Sequence, residues 1–363
     1  MGILEKSKII ISGILVGLLG VLLVRFGNPA NMGVCVACFV RDISGGLGFH
    51  RAEVVQYLRP EVSGFIIGAF IISMFSGEFR ARGGSSPLLR FLIGMAVMIG
   101  ALVFLGCPLR MVLRLAAGDF NAVIGLLGFI FGIFVGVQFL KRGFSLGRSQ
   151  RIHNGNGIAI PGLALVLLIL VIVAPAFIFF SASGPGFARA PFLISLGAGV
   201  LIGVLVQRSR LCQIGCFRDM MLIGDSHLLY GSLAIFAAAL VGNLVLGYFN
   251  PGFVDQPVAH TAGLWNFIGL AVVGLGATLL GGCPIRQTIL AGEGDTDAGM
   301  TFLGLLFGAA VAHNFGLAAS PAGVSQAGQA GVLLSAVFLL VVGFAFTVPQ
   351  ISFVRKGGVT LDR

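Results

Sequence analysis

Apolar runs of about 16 to 22 residues recur along the whole 363-residue chain, each close to the ~20 residues that cross a bilayer as a helix. The runs are continuous and do not alternate with polar residues, which excludes an outer-membrane β-barrel. Hydrophobic residues make up 57% of the chain and charged residues 10%, against roughly 45–50% and about 25% in a soluble domain. A water-soluble Rossmann, TIM-barrel or sandwich protein is therefore excluded, and so is a disordered tail. The fold class is an all-α polytopic membrane protein.

The apolar runs predict about ten transmembrane helices, at roughly 9–25, 60–77, 88–106, 120–140, 161–180, 190–207, 228–248, 262–281, 298–317 and 329–348. Lys6 and Lys8 before the first run imitate a signal peptide. No convincing small-residue cleavage site follows, so that run is expected to stay as the first helix. Polar punctuation such as Arg80–Gly84 and Asn154–Gly157 separates the spans. Two short stretches do not fit as spans, Asn31–Asp42 and Cys107–Gly118, and each has a later counterpart, Leu211–Asp219 and Cys283–Gly294.

This correspondence reads as an internal duplication. Cys35, Arg41, Asp42 and His50 map onto Cys212, Arg218, Asp219 and His227 at a single offset. Gly106-Cys107-Pro108-Leu109-Arg110 maps onto Gly282-Cys283-Pro284-Ile285-Arg286, and Gly118-Asp119 onto Gly294-Asp295, at an offset one residue shorter. The expected organisation is a first repeat over 1–150, a linker with a connecting span over 151–188, a second repeat over 189–320, and a C-terminal span and tail over 321–363. An odd number of crossings between equivalent helices inverts the second repeat, an arrangement common in transporters, whose short or broken helices mark the substrate path. Of the 23 Lys and Arg, most fall on the side of the N-terminus, so the positive-inside rule predicts both termini in the cytoplasm of a plasma (inner) membrane protein.

The four short segments carry the chemistry, as four re-entrant cysteine-bearing helices. Backbone that stops at membrane depth is tolerated only when buried in protein or lining a cavity. In Gly-Cys-Pro-x-Arg, Pro108 and Pro284 suit the first helical turn. Cys107 and Cys283 then stand at helix N-termini, where free N–H groups and the dipole favour an anion or a thiolate. Arg110 and Arg286 add charge to the same turn, and Cys35 and Cys212 repeat the idea ahead of Arg41-Asp42 and Arg218-Asp219. The Arg-Asp pairs read either as structural ion pairs bracing the re-entrant helices or as substrate contacts. Asp119 and Asp295 follow a glycine and precede a span, so they read as N-caps. Cys38 and Cys216 align with Gly215 and Phe39 and so read as supporting residues, and His50 and His227 as interfacial ones.

Competing chemistries find less support. Cys35-Val36-Ala37-Cys38 resembles a dithiol, which makes a membrane thiol-disulfide oxidoreductase the alternative function. The duplication, however, keeps one cysteine of each pair and discards the other. No histidine lies at zinc-ligand spacing, no Gly-x-x-x-x-Gly-Lys-Ser/Thr loop is present, and no basic run alternates with aromatics as a nucleic-acid surface would. No metal, cofactor or nucleic-acid partner is expected, and no acidic residue falls mid-span to relay protons.

The stretch Gly27-Asn28-Pro29-Ala30-Asn31-Met32-Gly33-Val34-Cys35, with Phe49-His50-Arg51 and both Gly-Cys-Pro-x-Arg copies, is similar to the selenium-metabolism branch of the YeeE/YedE membrane proteins. The resemblance implies a sulphur-transport fold and a non-enzymatic function, the uptake of a selenium- or sulphur-containing anion such as thiosulfate. It also implies a small sulphurtransferase-like cytoplasmic partner. The path cysteines carry over to Cys35, Cys107 and Cys283, with Cys212 the repeat mate of Cys35.

Overall fold

The computed structural model describes residues 3–347, with side chains from Lys6 onward. The cytoplasmic tail expected beyond the last span, with Arg355, Lys356 and Arg363, lies outside the described residues. The first part of the chain forms α1 (Ile3–Arg25), α2 (Val36–Gly46), a 3-10 turn at Glu53–Val55, α3 (Pro60–Phe75), α4 (Pro87–Phe104), α5 (Pro108–Ala116) and α6 (Asn121–Lys141). A connecting region holds the one-turn α7 (Asn154–Gly157), α8 (Ala159–Val173) and the one-turn α9 (Gly184–Phe187). Then come α10 (Phe192–Ser209), α11 (Gln213–Ile223), α12 (His227–Leu246), α13 (Gly263–Leu280), α14 (Pro284–Gly292), α15 (Thr296–Asn314) and α16 (Gln326–Ala345). The only strands among the described residues are β1 (Arg82–Gly83) and β2 (Gln150–Arg151), an antiparallel pair with Arg82 opposite Arg151.

Eight helical stretches among the described residues are long and apolar enough to cross a membrane. They fall on eight of the ten expected spans. The other two differ in instructive ways. The expected span at 161–180 is the 15-residue α8, which ends where Ala174 turns left-handed (φ 46°) ahead of Pro175. The expected span at 298–317 is the 19-residue α15, helical where expected but less apolar than the eight, with Asp297 in its first turn and His313 in its last.

The long helices pack in crossed pairs: α1 on α12, α3 on α10, α4 on α15 and α6 on α13, with α4 also on α13. Small residues make the close approaches possible. A methyl group placed on Gly128 or Gly132 of α6 would lie 2.0 Å from the Phe267 or Ala271 carbonyl oxygen of α13. Gly64 and Gly68 meet Gly199 and Val200 across α3 and α10 in the same way.

The short helices are bounded by local chemistry. Proline occupies the first turn of α5 and α14. Gly118 and Gly294, both at φ +95°, end these helices in the left-handed conformation that glycine adopts without a steric penalty. Asp119 N–H then bonds to Arg114 O, and Asp295 N–H to Leu290 O, each at 3.0 Å, closing a Schellman turn. At 1.5 Å per residue, helices of 9 and 11 residues are about 14–17 Å long, roughly half of the ~30 Å hydrocarbon core.

Candidate functional site

Each of the four repeat-matched cysteines occupies the N-cap of a short helix: Cys35 for α2, Cys107 for α5, Cys212 for α11 and Cys283 for α14. All four have extended backbone, and the matched pairs have similar angles, φ/ψ of −148/102 and −152/121 for Cys35 and Cys212. All four are buried free thiols. They gather two by two. Cys212 Sγ lies 3.7 Å from Cys283 Sγ, and the Cys35 thiol lies close to that of Cys107. The structure thus brings two helix N-termini together at each of two thiol stations. Contacts of α2 with α14 and of α5 with α11 link the two stations.

The first station is closed and strongly basic. Every residue of α2 is buried. Arg110, fully buried, donates from Nε to Asn31 O at 2.8 Å, from Nη1 to Leu105 O and toward Cys38 Sγ at 3.6 Å, and from Nη2 to Val258 O at 3.1 Å. Its partners among the described residues are carbonyls and a sulphur, with no carboxylate. Cys38, expected as a helper, therefore belongs to the station: its backbone N–H caps onto Cys35 Sγ at 3.3 Å and its thiol meets Arg110.

Arg41 and Asp42 form a buried pair, with Arg41 Nη2 2.7 Å from Asp42 Oδ1. Sequence reasoning missed the third member. Arg59, at the N-cap of α3, donates to the other Asp42 oxygen at 2.8 Å and to the Pro185 carbonyl at 2.6 Å. Four residues after Arg110, Arg114 pairs with Asp119 at 2.6 Å and lies over the Phe104 ring at 4.2 Å. Asp119 was expected as an N-cap. It does accept from Asn121 N–H at 2.9 Å, but the cap residue of α6 is Phe120, because the second Asp119 oxygen is drawn to Arg114. Asp295 caps α15 as expected, through Ala298 N–H at 3.0 Å, and pairs with Arg82 at 2.7 Å.

The second station is more open. In α11 only Gln213–Cys216 are buried. Arg218 and Asp219 pair at 2.7 Å and line a cavity of about 330 Å³ with Arg90 and Gly281, two residues before Cys283. Here the cations have acidic partners: Glu293 Oε1 accepts from Arg286 at 2.9 Å and from Arg210 at 3.0 Å. Cys216 Sγ is spent on the Cys212 and Leu228 carbonyls, at 3.3 and 3.2 Å. Beyond the spans, Glu78 accepts from Gln207 at 2.6 Å and from Arg210 at 2.7 Å. The Gln207 hydrogen bond, with Arg210 and Arg208, holds its carboxyl below the ordinary glutamate value.

Neither His50 nor His227 reaches the thiols among the described residues: His50 bonds to the Arg41 carbonyl at 3.1 Å and stacks on His313 at 4.4 Å, and the His227 N–H donates to Asp225 Oδ1 at 2.9 Å. No cluster of His, Cys, Asp and Glu among the described residues has the arrangement of a metal site.

Residues 208–356, which include Cys212 and Cys283, match the family described as Sulphur transport. Over 110 residues the chain is 36% identical to the thiosulfate transporter TsuA of Spirochaeta thermophila, a match covering 30% of this chain and 32% of that protein. It is 33% identical over 102 residues to the thiosulfate transporter TsuA of Escherichia coli, 28% of each chain. It is 28% identical over 138 residues to the Escherichia coli protein named Probable transporter YedE, 37% of this chain and 33% of that one. The chain thus spans about a third of the length of the curated relatives it matches.

Proposed function

We propose that this chain is a multi-pass transporter of the inner membrane that carries a thiosulfate-like anion, or its selenium analogue, along a path through the two thiol stations. The observation that carries the reading is the 3.7 Å approach of Cys212 and Cys283 at two facing helix N-termini, inside the region that matches the sulphur-transport family. The relatives are named as transporters of thiosulfate, not as enzymes. An inverted repeat agrees with the helix pairing. Under the sequence offset α1 corresponds to α10 and α3 to α12, and the packed pairs α1–α12 and α3–α10 exchange; so do α4–α15 and α6–α13.

With both termini cytoplasmic, Cys35, Cys38 and Cys107 form the outer station and Cys212 and Cys283 the inner one. Arg110, lacking a carboxylate partner, draws the anion in. At the inner station Glu293 neutralises Arg286, so the anion is held less tightly where it leaves. Thiols are weak S–H donors, and a path needs sites that bind without trapping. A terminal sulphur or selenium atom is a soft partner for these thiols, whereas sulfate offers only oxygen. The Arg-Asp pairs brace the short helices, and a small sulphurtransferase-like protein receives the cargo in the cytoplasm.

The test is uptake of labelled thiosulfate, selenite, selenosulfate and sulfate into proteoliposomes. Wild-type protein takes up a sulphur or selenium thio-anion in preference to sulfate. Cys107→Ala and Cys283→Ala abolish uptake while accumulating normally in the membrane. Full uptake by both variants removes the thiol path.

A further inference from the structure

Arg189 stands just ahead of α10 and has no acid of its own. Among the described residues its Nη1 is shielded from solvent and lacks a hydrogen-bond partner. The guanidinium rests instead on two rings, Tyr57 at 4.5 Å and Phe180 at 5.9 Å. The charged groups nearby are taken up elsewhere. Arg59, which shares the Tyr57 ring at 5.4 Å, is bound to Asp42. Glu61 accepts from Asn28 at 3.0 Å and from Ser195 at 3.1 Å. A partly desolvated guanidinium without an anion is costly, because the charge gives up water and gains no partner.

Arg189 lines a cleft of about 680 Å³ and is the one charged residue of that lining. The walls are apolar or aromatic. Phe26 follows the last residue of α1, Val171 and Ile172 belong to the last turn of α8, and Phe192 opens α10. Phe26 and Ile172 are also exposed on the outside of the molecule. The apolar stretches of α1 and α10 end and begin here, so the cleft sits at the depth where a spanning helix passes from hydrocarbon to headgroups. The backbone that carries Arg189 is held on both sides. Before it, the Ala188 carbonyl accepts from Arg59 Nη1 at 3.2 Å; after it, the Ala190 N–H donates to Asn28 Oδ1 at 2.9 Å. Little ordering of the chain is then left to be done when a ligand binds.

We propose that this cleft binds one anionic phospholipid, with the phosphodiester on Arg189 and an acyl chain along Phe26, Val171 and Ile172. A guanidinium presents paired N–H donors that fit two oxygens of one phosphate. With a turn of the side chain into the cleft, Nη1 gains the acceptor it lacks. The apolar walls favour an amphiphile over a free oxyanion, which would give up water against residues that offer it no donor. The lining holds no acidic residue, and this selects the headgroup. Phosphatidylglycerol brings a single negative charge, whereas phosphatidylethanolamine also brings an ammonium that meets Arg189 and finds no carboxylate.

The test is native mass spectrometry of the purified full chain, stripped of lipid in detergent and titrated with dioleoyl phosphatidylglycerol or dioleoyl phosphatidylethanolamine. Wild-type protein binds its first phosphatidylglycerol roughly tenfold more tightly than phosphatidylethanolamine, the effect of about one charge-assisted pair. Arg189→Gln, checked for folding by thermal unfolding, loses that preference. Ile172→Glu, at an exposed position, leaves Arg189 in place but sets a carboxylate in the cleft, and loses the preference too. This second variant decides the matter if Arg189→Gln fails to fold. Retention of the preference by the variants overturns the proposal, and so does its absence in wild type. Displacement of the bound lipid by inorganic phosphate or by thiosulfate overturns it as well, because the cleft then takes a free anion.

Discussion

Asp42 is the residue on which most buried charge converges. It is fully buried and holds Arg41 and Arg59, both also buried. Removing one member of a buried ion network leaves the others unpaired, at a cost of roughly 3–5 kcal/mol. Asp42→Asn should therefore lower the thermal unfolding temperature in detergent sharply. Asp219, the residue that matches it in sequence, about a fifth exposed with Arg218, should lose at most about 1 kcal/mol in Asp219→Asn. Equal losses would mean that the two pairs are not in the different environments described. The thiols divide in a similar way. Cys35→Ser should lose most thiosulfate uptake, since it replaces a station thiol that faces Cys107. Cys38→Ser should keep uptake within a few-fold, since a hydroxyl can still accept from Arg110. Cys216→Ala should be tolerated, because that sulphur bonds to carbonyls of its own turn and of α12, away from the Cys212–Cys283 contact. Uptake by the three variants, normalised to protein in the membrane, checks the order.

Among the elements, the short helices were the most legible. Cysteine, proline and a terminal glycine bracket α5 and α14, and local backbone rules place their starts and stops without reference to distant residues. The end of α8 was less legible, because an apolar run continues past Val173 while the helix stops at a left-handed Ala174. The glycines of α6 make a close approach to α13, a partner helix that chain order does not give. Gly128→Leu should prevent the approach of α13, costing on the order of 1–3 kcal/mol or more by overpacking, and should reduce accumulation in the membrane. Gly197→Ala in α10, where an added methyl group meets nothing within 4 Å, should be neutral or slightly stabilising. Expression and thermal unfolding of the two variants side by side decide the point.

At the scale of the whole molecule, Glu78 joins the loop after α3 to the end of α10 through Gln207, Arg208 and Arg210. Its carboxyl is held below the ordinary value, so the stability it contributes is present at neutral pH and is lost as the pH falls through its folded value. The pair is over a third exposed, so the effect is small and weakened by salt. Thermal unfolding between neutral pH and about pH 3.5 should show a shallow acid loss in wild type that is absent in Glu78→Gln. By itself the sequence determined the membrane class, most of the spans and the positions of the four helix-capping cysteines. Those properties depend on the length of an apolar run and on a few adjacent residues, which chain order records directly. Only the tertiary structure decided which thiols face each other, that Arg59 completes the Asp42 network, that Arg110 lacks the acid its mate Arg286 finds in Glu293, and that Glu61 is buried with one oxygen free. Each of these is a contact between segments distant in sequence or a matter of exclusion from water, and burial of charge is set by what packs around a residue, not by its neighbours in the chain.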